Sequence, residues 1–94
     1  MRLKSFKTET IADDIPLKII AFIVQDESRL ELLLAQTGLQ KDDLLRGASE
    51  PAFQAMIVDH LLENESAVLE FAANHELSPD AVLRARSKLP GFSV

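Results

Sequence analysis

Apolar positions along the chain recur mainly at spacings of three and four, the period of a helix packed on one side. Leu17, Ile19, Ile20, Phe22, Ile23 and Val24 make a first stretch apolar nearly all round, as expected of a helix buried on several sides. Asp13 or Asp14 can cap it, and Pro16 sits in the first turn, where a missing N–H costs nothing. Asp26 and Glu27 open a second helix carrying Leu30, Leu33 and Leu34, and Gly38 ends it as a left-handed cap. A short third helix follows, with Leu44 and Leu45 expected to face inward. Ser49 is expected to cap a fourth, with Pro51 in its first turn and an apolar stripe of Phe53, Met56, Ile57, Leu61 and Leu62. Asn64 caps a fifth, carrying Val68, Leu69, Phe71 and Ala72. Ser78-Pro79 opens the sixth, which Pro90-Gly91 stops. The pattern predicts an all-α fold of six helices at 14–25, 27–37, 41–48, 50–63, 65–75 and 79–88. They form one bundle over residues 13–89, with a loosely ordered arm at 1–12 and a tail at 90–94.

A shift of 38 positions lays the chain on itself. Ile19 falls on Ile57, Glu27-Ser28 on Glu65-Ser66, Ala35 on Ala73, Leu39 on Leu77, Leu45-Arg46 on Leu83-Arg84, and Ser49 on Ser87. Each half then reads as three helices. Neither half is large enough to bury its own stripes, so two related units would share one core.

Composition narrows the function. Ninety-four residues suit one domain. With no cysteine, disulfides, thiolate nucleophiles and cysteine zinc sites are excluded. The net charge of −5 is unevenly spread. All ten basic residues lie at or before Arg46 or at or after Arg84, with only acids between. That middle stretch argues against nucleic acid, which needs clustered Lys and Arg. The basic start at Arg2, Lys4 and Lys7 meets acids before any apolar run, so no targeting segment or membrane patch is read. No apolar run is long enough to span a bilayer, and a cytoplasmic protein is expected.

Three runs carry a family resemblance. Leu33-Leu34-Ala35-Gln36-Thr37-Gly38-Leu39 precedes Asp43-Leu44-Leu45-Arg46. Phe53 precedes Val58-Asp59-His60-Leu61-Leu62 and Glu65. Leu77-Ser78-Pro79 precedes Ala85-Arg86. In order and spacing they resemble domain-of-unknown-function family 3572, small proteins found mainly in alphaproteobacteria. The resemblance implies a helical protein with no assigned activity or catalytic residues, and it carries over no site.

His60 is the most suggestive single residue. It lies on or beside the fourth helix's stripe, with Glu63 three positions on and Asp59 adjacent. A histidine oriented by a carboxylate can transfer protons or help hold a metal. The plainer expectation is a half-buried histidine bonded to Glu63 or to backbone. His75 is the only other histidine, so a multi-histidine zinc site would need both. The isolated glycines form no phosphate loop, and no cofactor is expected. Residues 70–88 resemble a helix-turn-helix, with Arg84, Arg86 and Lys88 as the basic residues of its second helix. Helix pairs at a tight turn are common in all-α folds without DNA binding. The reading reached from sequence is a non-enzymatic interaction or regulatory module with a protein partner or a second copy as a homodimer. A weak nucleic-acid binder, and a small enzyme or metal binder centred on His60 and Glu63, stand as alternatives.

Overall fold

A computed structural model describes residues 14–91, all helix and connecting turn, with no strand among them. The helices are α1 (Ile15–Val24), α2 (Glu27–Thr37), α3 (Lys41–Gly47), α4 (Pro51–Leu62), α5 (Glu65–Asn74) and α6 (Asp80–Ser87). The arm read at 1–12 and the last residues of the tail lie outside the described residues.

The predicted ends hold where a side chain caps them. Asp14 accepts the Leu17 N–H at 3.2 Å, Asp26 the Ser28 N–H at 2.9 Å and Asn64 the Ala67 N–H at 3.1 Å. Gly38 ends α2 at φ 77°, and its N–H donates to the Leu34 carbonyl. At α3, the Asp43 carboxylate accepts the Gln40 N–H at 2.9 Å and Arg46 at 2.8 Å. The Gln40 bond first, and Arg46 with it, holds the Asp43 carboxyl below its ordinary pKa.

Two expected caps move. Glu50, not Ser49, precedes α4. Ser78 gives no capping bond either. Its carbonyl accepts the Ala81 N–H and the Pro79 carbonyl the Val82 N–H, a tight opening turn that delays α6 to Asp80.

The core sits where α1, α4 and α6 meet, with α2 on α1 and α5 on α4 and α6. Ile19, Leu33, Ile57, Val58, Phe71 and Val82 are its fully enclosed side chains. The Phe22 and Phe71 rings meet edge to face, centroids 5.4 Å apart. The Arg29 guanidinium covers the outer face of Phe22 at 4.0 Å and pairs with Glu70 at 2.6 Å, tying α2 to α5.

One inward assignment is corrected, and two apolar stripes are narrowed. Leu45 is 80% exposed while Leu44 is buried. Neighbours on a helix diverge by about 100°, so a seven-residue helix with one buried side cannot turn both inward. On α5 the inner face is Val68, Phe71 and Ala72, and Leu69 lies outside it, 51% exposed. On α4 the inner face is Ala55, Ile57, Val58 and Leu61, with Phe53, Met56 and Leu62 half-buried on its flanks. Helix α1 has three neighbours as expected, yet its outer side shows Leu17 (43% exposed) and Val24 (47%).

Several positions 38 apart share their burial, while others, such as exposed Leu17 and buried Ala55, do not. Ile19 and Ile57, Ile23 and Leu61, Leu30 and Val68, Leu33 and Phe71, and Leu44 and Val82 are buried in pairs, and Leu45 and Leu83 are exposed. The same shift relates Gly38 to Glu76, the one described non-glycine residue with positive φ, at 55°.

Candidate functional site

Among the concavities of the described residues, three bear on function, and a smaller one of about 180 Å³ is lined by Arg84 and Lys88. Two flank His60. One, of about 360 Å³, lies against the start of α5 and includes Arg29, Leu32 and Asn64. The other, of about 590 Å³, lies between the end of α2, α4 and Pro90-Gly91. Gln36, His60 and Glu63 line both, so the half-buried imidazole stands on the ridge between two shallow clefts.

The expected pairing of His60 with Glu63 is absent. No hydrogen bond or ion pair joins them, and among the described residues the imidazole has no partner at all. The physical reason is helical. Glu63 is the residue that caps α4, where its own N–H is spent on the Asp59 and His60 carbonyls and its side chain stands in solvent. His75 is on another helix end, tilted against the Phe71 ring at 4.7 Å between centroids, so the two histidines do not converge. No group of three metal-ligating side chains forms among the described residues.

The basic residues of the helix-turn-helix-like segment are split. Arg84 is exposed and pairs with Asp80 at 2.8 Å on its own helix. Arg86 points the other way and is only 7% exposed. Its Nε donates to Asp59 Oδ1 at 2.7 Å, and one terminal nitrogen donates to the Pro90 carbonyl at 3.0 Å and the Leu89 carbonyl at 3.3 Å. This charge fastens the turn after α6 to α4 and cannot meet a phosphate. Residues two apart on a helix lie on nearly opposite faces, so Arg84 and Arg86 never shared a surface.

The third concavity was missed from sequence. It is an apolar groove of about 320 Å³ between α1, the start of α2 and α3. Ile20, Val24, Leu30 and Leu44 form its walls, exposed Leu45 stands on its rim, and Lys41 is its one charged lining residue. Lys41 has no ion-pair partner among the described residues. The signal that could have found the groove was the Leu44-Leu45 pair on so short a helix, since one of the two must face out. No helix among the described residues is long and apolar enough to cross a membrane.

No curated protein and no solved structure matches the chain. A family model described as "protein of unknown function (DUF3572)" matches residues 9–92, nearly the whole length. With the order of its three runs now placed on α2–α3, α4–α5 and the α5–α6 turn, the chain belongs to the DUF3572 family.

Proposed function

We propose that the chain is a non-enzymatic protein-interaction module that docks another polypeptide on the outer face of α1 and α3. The observation that carries this is the groove together with its rim: Val24 and Leu45 stand in solvent on a concave apolar wall, and Leu17 is exposed further along α1. Isolated exposed leucines are ordinary, but a contiguous apolar strip with a groove in it is the usual mark of a docking surface. The clefts at His60 offer less, because no carboxylate among the described residues orients the imidazole. The α5–α6 segment offers less as nucleic-acid surface, because Arg86 is enclosed and Arg84 is paired. The same reading takes the protein to work in the cytoplasm, an expectation that rests on the sequence. It also takes the two halves as a duplicated three-helix unit, supported by the paired burial and the shared positive φ at a shift of 38.

The test is affinity purification after cross-linking in the native cell, run in parallel with the native chain and a V24E/L45E variant. Polypeptides held by the native chain and lost with the variant are expected. Identical recovery with both would show that the α1–α3 face docks nothing.

A further inference from the structure

We infer that α3 is a lid over the α1–α3 groove, able to close on α1 as α6 closes on α4, because the first half of the chain lacks the clasp that locks the second. The lid regulates the docking face proposed above; that role rests on the docking reading, whereas the motion does not. Positions 38 apart show one surface in two states. Ile20 and Val24 of the groove wall are half-buried and exposed, while their counterparts Val58 and Leu62 are enclosed and half-buried. Leu45 is 80% exposed and its counterpart Leu83 48%. Leu44 and Val82 are buried alike, so α3 and α6 are anchored at the same point and differ in how far they close.

Particular residues account for the difference. Arg86 ties the end of α6 to α4 through its bond to Asp59 at 2.7 Å. At a shift of 38 the same two positions are Ala48 and Ala21, which can form no such tie. Buried Ala81 of α6 corresponds to Asp43, whose carboxylate is spent on the Gln40 N–H and on Arg46 within its own helix. Accordingly α6 packs on α1, α4 and α5, while α3 makes no contact of that extent with any helix. A short helix held by one enclosed side chain, Leu44, with no tie across to α1, belongs to the least stable part of a fold.

The connections suit a hinge. Left-handed Gly38, with open space about its Cα, and extended Gln40 lead into α3, and a few such positions can absorb a rotation. The bare backbone at Gly47 rests on the Phe53 ring and serves as the pivot. Closing carries Leu45 toward Val24 and shuts the groove. A docked polypeptide therefore holds the lid open, and its affinity depends on how often the lid stands open without it.

Pulsed electron spin resonance tests the lid, since a chain with no cysteine can be labelled at chosen pairs. Labels on Q25C/R46C report the α1–α3 distance, and labels on E63C/R84C report the matching α4–α6 distance; all four native residues are exposed. The α4–α6 distance should be single and narrow. The α1–α3 distance should be broad, with a shorter component at the α4–α6 value. Grafting the clasp as A21D/A48R should raise the ratio of closed to open lid by about tenfold or more, the effect of one well-made bond between charged groups. The reverse change D59A should broaden the α4–α6 distance, and it serves as the test if the graft does not fold. An α1–α3 distance as narrow as the α4–α6 one overturns the proposal. So does an α1–α3 distance unmoved by the graft, or an α4–α6 distance indifferent to D59A. In the purification experiment the graft should lose the polypeptides that the native chain holds. A rigid α3 would leave docking to be judged by V24E/L45E, and a moving lid on a face that docks nothing would remove the docking reading alone, so the two failures are distinct.

Discussion

Arg86 shows how a single side chain is placed by contacts the local sequence does not contain. A buried guanidinium must be paired or it destabilises the fold. Here Asp59 and two carbonyls are among its partners, and the Asp59 bond joins residues 27 apart. Asp59 is itself exposed, so part of the attraction is screened and the carbonyls matter correspondingly more. Truncation by Arg86→Ala should cost about 2 kcal/mol, read from urea unfolding, since charge-assisted bonds and packing are lost together. Arg86→Lys should recover less than half of that, because an ammonium cannot reach a carboxylate and two carbonyls as a planar fork does. A loss within 0.5 kcal/mol of zero, about the level of an ordinary surface substitution, would mean the fastening is immaterial. The sequence offered Arg86 as a member of a basic surface patch. The helical period already argued against that, and only the packed neighbour on α4 showed what the residue does instead.

At the level of elements, three turn positions carry different physics. Gly38 and Glu76 both end helices with positive φ, while Gly47 lies in the last turn of α3 with ordinary helical backbone. A Cβ at Gly47 would come within 2.5 Å of the Phe53 ring, so α3 and α4 meet through a backbone that must stay bare. Helix propensity alone would make Gly47→Ala stabilising by roughly 1 kcal/mol. The clash should reverse the sign, to a loss of about 1–3 kcal/mol, recovered when Phe53→Leu is added. Glu76→Gly should do the opposite and raise the melting temperature by a few degrees, worth about 0.5–1 kcal/mol, by removing a left-handed strain that Glu carries. A lower melting temperature would show that the Glu76 side chain offsets its backbone. Gly38 was legible in the sequence because glycine is the usual residue for such a cap. Glu76 was not, since nothing about glutamate signals a left-handed turn, and only its relation to Gly38 by the shift of 38 hints at it.

Across the whole molecule, the two halves are interlocked rather than placed side by side. Helix α1 packs on α4 and α6 of the other half as well as on its own neighbour α2. The deepest positions, Ile19 and Leu33 from the first half and Ile57, Phe71 and Val82 from the second, therefore enclose one another's apolar surface. Residues 1–48 and 49–94 made as separate chains should each be largely unstructured by circular dichroism, and mixing them should restore helix. A half that folds alone with a cooperative melt would show that each unit holds a core of its own. The sequence by itself determined the all-α class, the order of six helices, most of their caps, the segregation of charge and the family. These depend on interactions within about four residues, which the chain's own spacing specifies. The tertiary structure alone decided which of two adjacent leucines turns inward, that Arg86 is enclosed and His60 meets no carboxylate among the described residues, and that α1 and α3 form a groove. Each of these depends on which surfaces meet across tens of residues, and the helical period restricts that choice without making it.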